Sequence, residues 1–118
     1  MTRDAVQWGL FGVDIDPVVG SEQAGRRPVL VVSREVVNRT LPIVAAIPLT
    51  RARRGRRVYP TEVLLPAGAA GQHEDSIAMA HQLRTISTRR LGQQIGRLTE
   101  PGLQNALREA MRVYLDLD

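Results

Sequence analysis

Two arginines stand directly against an apolar run. Residues 19–33 read VGSEQAGRRPVLVVS, with Arg26 and Arg27 just ahead of Pro28. Arginine carries a planar, permanently charged fork that matches phosphate and carboxylate. A strand behind it could aim that fork at an anion, or the two could be ordinary loop charges before a strand. A second cationic group lies at RARRGRR (51–57), where Arg51, Arg53, Arg54, Arg56 and Arg57 crowd together. Such a cluster holds phosphates without sequence preference and with strong salt dependence, or it is a solvated loop. His81 brings a side-chain type whose ordinary pKa, about 6.5, suits proton transfer near neutrality; a lone histidine also serves as a structural hydrogen bonder. Thr50 offers a hydroxyl donor, and taken alone it reads as a strand-end threonine bonded to nearby backbone. His73, Glu74 and Asp75 are consecutive. Neighbours in sequence rarely converge on one ion, so no metal site is expected there.

Several short strands and one helix must position these groups. WGLFGVDI (8–15), PVLVVS (28–33), IVAAIPLT (43–50) and TEVLLP (61–66) are short apolar runs of strand character. Pro48 marks an edge or the last paired residue, because proline cannot donate to a ladder. REVVNRTLP is a connection, RARRGRRVYP an exposed loop, and PAGAAGQHED (66–75) a glycine- and alanine-rich loop. SIAMAHQLRTIS (76–87) supplies one or two strands, and STRRLGQQIGRL (87–98) a helical turn and a strand-like ending. After Thr99, a candidate cap, and Pro101, the residues Leu103, Ala106, Leu107, Ala110, Met111 and Tyr114 recur at spacings of three or four. That is one apolar face of an amphipathic helix, with Arg108 and Arg112 toward solvent. The expectation is one small α+β domain over 1–118, its strands curled into a barrel-like sheet with the helix over one side.

The composition narrows the class. The chain has 118 residues, 43% of them apolar, which suits a single packed domain. No run is long enough to span a bilayer, and MTRDAVQWGL lacks the pattern of a secretory leader. Without cysteine, disulfides and thiolate metal sites are excluded, and the cytoplasm is the expected compartment. The net charge is +4 and all sixteen basic residues are arginine. This favours nucleic acid or an acidic protein as partner, although arginine-rich codon usage gives the same bias. Aromatics are only 3%, so recognition is expected to rest on hydrogen bonds and charge rather than on stacking platforms.

Read together, DIDP (14–17), GSEQAGRRPVLVVS (20–33), NR (38–39), IPLT (47–50), YPTEV (59–63) and HQLRTIS (81–87) resemble the MazF/PemK family of toxin endoribonucleases. Three pieces in order carry the resemblance: G-x-E-Q-x-G-x-R-P-V-L-V, then P-x-T, then Q-x-R-T. It implies an SH3-like, strongly curved β-barrel with a C-terminal helix, and a homodimer whose interface helps to form an RNA groove. It further implies metal-independent, sequence-specific cleavage of single-stranded RNA, leaving a 2′,3′-cyclic phosphate and a 5′-hydroxyl, with no cofactor, and inhibition by a MazE-like antitoxin. On this resemblance Arg27 is the main catalytic candidate, stabilising phosphate, and Thr50 holds a non-bridging oxygen. His81 replaces the acidic residue that often precedes Q-x-R-T and is the third catalytic candidate. Ser21, Glu22, Gln23, Arg26, Gln82 and the five loop arginines are substrate-binding candidates. Glu22 is also a possible base, and Arg84 and Thr85 are expected to brace the barrel. QWGL (7–10) departs from the family's usual opening of a basic residue, glycine and an acid; Trp8 is expected at the dimer interface or in the core. The alternative is a non-enzymatic module on the same fold, either an RNA-binding regulator or a gyrase binder of the CcdB kind.

Overall fold

A computed structural model describes residues 5–15 and 25–118; of Ile15, Gly25 and Arg26 it describes the backbone alone. Among the described residues, seven strands and two helices follow in the order β1 (Gly9–Ile15), β2 (Gly25–Val31), α1 (Glu35–Thr40), β3 (Ile43–Arg51), β4 (Glu62–Leu65), β5 (Ser76–Met79), β6 (Arg84–Ser87), β7 (Leu91–Arg97) and α2 (Pro101–Leu115). Short 3-10 turns at Ala80–Gln82 and Thr88–Arg90 introduce β6 and β7. All pairings are antiparallel, along the path β4-β5-β3-β2-β1-β7, with β6 on β3.

β3 is the hinge of the sheet. Its first part pairs with β2 and β6, up to Val29↔Pro48, and from Leu49↔Ala78 onward β5 takes over. Pro48 ends the pairing with β2 but not that of the strand: β3 is interior, and Leu49, Thr50 and Arg51 go on to pair with β5, so the expectation of an edge or last paired residue is corrected. Side chains alternate across the strands. Leu10, Leu30, Ile47 and Leu49 face one core, which α2 closes with Leu107 and Ala110. Phe11, Val13, Val29, Val31, Val44, Ala46 and Ile86 form a second core on the opposite face.

Four expectations shift. β2 begins at Gly25 and ends at Val31, so its antiparallel ladder with β1 takes in both arginines. The connection after it holds a helix, α1, because Asn38 is buried and bonds back to the Ser33 carbonyl at 2.9 Å while Glu35 accepts from Val6 and Gln7 backbone. The cap of α2 is Glu100 rather than Thr99: its carboxylate accepts from the Gly102 and Leu103 amides at 2.9 and 3.0 Å, where the helix leaves donors unpaired. Tyr114 lies outside the buried stripe. Trp8 joins the first core, with Arg108 5.2 Å above its ring, although its φ of 69° is a conformation usually left to glycine.

Among the described residues the ladder stays open between β7 and β4. A loop bridges that gap by contact. Gly71, at φ 98°, lies against Gly96 of β7, and a Cβ on Gly96 would sit 2.3 Å from the Ala70 carbonyl oxygen. Buried Gln72 fixes this loop, accepting from the Ala70 amide at 2.9 Å and donating to the Pro66 carbonyl at 2.9 Å.

Candidate nucleic-acid interface

Arg27 sits in β2 opposite Val13. It is two residues beyond Val29 in one direction, as Thr50 is beyond Pro48 in the other, and Val29↔Pro48 is the last β2–β3 pair. Strand alternation gives Arg27 and Thr50 the same face of the sheet. Both are half-buried. Thr50, in β3, pairs with Ile77 of β5. Arg27 also lines a groove of about 580 Å³ with Gly12, Pro28, His73, Gln93 and Gln94. A cation on a strand, with the amide side chains of Gln93 and Gln94 lining the same groove, can bind a phosphate and present hydrogen bonds to a neighbouring group.

The arginine loop divides into tied and open members. Arg51 pairs with Glu74, both exposed. Arg56 reaches inward: Nη1 and Nη2 lie 3.1 and 2.8 Å from the two oxygens of Glu62. Arg53, Arg54 and Arg57 are exposed. The Arg56 guanidinium lowers the Glu62 pKa against the opposing effect of burial, and the carboxylate in turn raises that of Arg56. The Glu62 side chain is 1% exposed, and such a buried charge requires a partner of this kind.

His81 lies in the turn after β5 and adjoins the same carboxylate. Its Nδ1 shares a hydrogen bond with Thr61 Oγ1 at 3.0 Å, and its Nε2 is 4.0 Å from Glu62 Oε2. Gln82 is exposed and contacts Met79 sulfur at 3.6 Å. Arg84 and Thr85 pair with Ala46 and Ala45 of β3, their side chains exposed. Ser21, Glu22 and Gln23 lie outside the described residues, as does the side chain of Arg26. The consecutive trio separates: His73 enters the groove, Glu74 holds Arg51, and Asp75 accepts from the Ala67 amide at 2.8 Å. Glu62 was missed in the sequence. A carboxylate opening the apolar run TEVLLP was its one available signal.

These features define a basic antiparallel-sheet domain with a groove that carries Arg27 among amide side chains. The chain matches the PemK-like, MazF-like toxins of type II toxin-antitoxin systems over residues 7–114. It is 38% identical over 113 residues to endoribonuclease MazF9 of Mycobacterium tuberculosis, covering 92% of this chain and 93% of that one. To endoribonuclease EndoA of Bacillus subtilis it is 38% identical over 110 residues, covering 92% and 91%. Among solved structures, a MazE-MazF crystal structure from Deinococcus radiodurans superposes with a TM-score of 0.73 at 28% identity, covering 98% of this chain and 100% of that one. The chain belongs to the MazF/PemK toxin family.

Proposed function

We infer that this chain is the toxin of a type II toxin-antitoxin pair and a metal-independent endoribonuclease acting on single-stranded RNA such as mRNA. One observation carries the reading. Within a chain that matches the family almost end to end, Arg27 and Thr50 stand on one sheet face at the end of the β2–β3 ladder.

Cleavage is an internal transesterification. The ribose 2′-oxygen loses its proton and attacks the adjacent phosphorus, the P–O5′ bond breaks, and the 5′-oxygen gains a proton. The products are a 2′,3′-cyclic phosphate and a 5′-hydroxyl. In-line geometry comes from holding the strand in a groove. Arg27 stays protonated and neutralises charge growing on the phosphoryl oxygens, while Thr50 donates a hydrogen bond to one of them. His81 serves proton transfer through Nε2, which at 4.0 Å from Glu62 is beyond hydrogen-bond reach and open to substrate.

Ser21, Glu22, Gln23, Arg26 and Gln82, with the open loop arginines Arg53, Arg54 and Arg57, contact RNA in this reading. A homodimer completes the groove, and a MazE-like antitoxin blocks it, in keeping with the MazE-MazF neighbour. The curvature of the sheet around β3 and the loop contact between Gly71 and Gly96 support an SH3-like barrel. Action on mRNA places the protein in the cytoplasm; no helix among the described residues is long and apolar enough to cross a membrane.

The decisive experiment is cleavage of a long unstructured RNA in EDTA. Discrete cuts with cyclic-phosphate ends are expected, and Arg27→Ala should abolish them while the protein stays folded. Near-normal turnover by folded Arg27→Ala would remove Arg27 from the mechanism. An absence of cuts across varied RNAs would favour a binding toxin on the same fold.

A further inference from the structure

Three groups converge on the Glu62 carboxylate, and the reaction as derived uses it nowhere. Arg56 engages both oxygens at 3.1 and 2.8 Å, the Tyr59 amide donates to Oε1 at 3.1 Å, and His81 Nε2 faces Oε2 at 4.0 Å. Thr61, next to Glu62 in the chain, holds the other ring nitrogen at 3.0 Å. Two consecutive residues thus address the two nitrogens of one imidazole. Both belong to the arm by which the arginine loop returns to the sheet as β4.

We propose that Glu62 is a positioning residue that joins the arginine loop to the His81 imidazole, setting both with a single carboxylate. The loop carries like charges that repel, and an inward, neutralised Arg56 gives it one fixed point. Arg53, Arg54 and Arg57 are then its outward cations, and among the described residues they have no ion-pair partner. The imidazole is held by Thr61 and faced by a negative charge, yet its ring remains 35% exposed. A histidine hydrogen-bonded through one nitrogen, with the other faced by a carboxylate beyond hydrogen-bond reach, is arranged for proton transfer. Arg56 is accordingly a brace for the loop, and its effect on catalysis passes through Glu62. This proposal rests on the endoribonuclease reading above.

The test uses the full chain with Glu62→Gln, Arg56→Gln, His81→Asn and the Glu62→Gln/His81→Asn double variant. The protein has only two histidines, so ring NMR signals of His81 can be read against His73 as an internal reference. Glu62→Gln should move the His81 signals and leave those of His73. At saturating RNA, single-turnover cleavage should fall at least about tenfold, the scale of a misplaced acid–base group. In the His81→Asn background Glu62→Gln should add less than about twofold, as residues acting as one unit do. Arg56→Gln, which leaves the carboxylate in place, should also shift the His81 signals and lower the saturated rate; it carries the test if Glu62→Gln does not fold. Unmoved His81 signals in the folded variants would overturn the proposal, as would multiplicative rate losses. So would an Arg56→Gln that weakens RNA binding with an unchanged saturated rate. If the wild-type protein cuts no RNA, the endoribonuclease reading fails, and the ring signals still decide whether Glu62 positions His81.

Discussion

Arg27 gains its chemical meaning from its neighbours. In β2 its backbone is locked opposite Val13, so little conformational freedom remains to be lost when a phosphate arrives. Thr50 shares its face of the sheet and is fixed by β5 through Ile77. If its hydroxyl holds a phosphoryl oxygen, Thr50→Ala should lower the cleavage rate at saturating RNA by about 10²-fold, the cost of one missing donor to a developing charge. Thr50→Ser should keep most of the rate. Single-turnover kinetics on both variants checks this, and a strand-end threonine bonded only to backbone would leave the rate of the alanine variant nearly intact.

At the level of elements, two features invite substitution. In the arginine loop, Arg51 is paired and Arg56 turned inward, so the open cations are Arg53, Arg54 and Arg57. Changing those three to glutamine should reduce the slope of log K against log salt for single-stranded RNA by about 2, since each phosphate contact on a single strand contributes about 0.7. An unchanged slope would make the loop a bystander in RNA binding. The second feature is the contact between the 67–72 turn and β7. Gly96→Ala places a Cβ 2.3 Å from the Ala70 carbonyl oxygen, and a backbone atom cannot swing aside as a side-chain tip can. A loss of about 1–3 kcal/mol is expected from such overpacking, measurable by chemical denaturation. A variant as stable as the parent would show that the turn yields easily.

For the whole molecule, the pH dependence of stability follows from its internal carboxylates. The Arg56 hydrogen bonds hold the Glu62 pKa below its ordinary 4.5 despite burial. At Glu35 burial pushes upward, and the bonds from the Gln7 and Val6 amides, Arg39 and Asn38 outweigh it, so its pKa also falls below 4.5. A carboxylate whose folded pKa lies below the unfolded one stabilises the fold above the unfolded value. That contribution is lost as pH drops through the folded value. Stability should therefore decline below about pH 4.5, and Glu62→Gln should flatten that decline. Denaturation midpoints across an acid pH series give the comparison. Parallel curves for the two proteins would mean that Glu62 contributes nothing to acid unfolding.

The sequence by itself determined the strands, the helix and most of the groups available for chemistry. The short apolar runs PVLVVS and IVAAIPLT and the three- and four-residue spacing after Pro101 are local properties, written in apolar run length and side-chain periodicity. α1 was not legible, because its six residues are held by Asn38 and Glu35 bonding to residues before the helix. Nor was the αL backbone of Trp8, whose ring meets Arg108 of α2. Tertiary structure also decided which arginines are open. Arg56 and Arg57 are adjacent in sequence, yet only Arg56 is bonded to Glu62. Bringing Glu62, Thr61 and His81 together required β4 to pair with β5, carrying a carboxylate to an imidazole across 19 residues of chain. No local pattern encodes that meeting, because it is a consequence of register between strands.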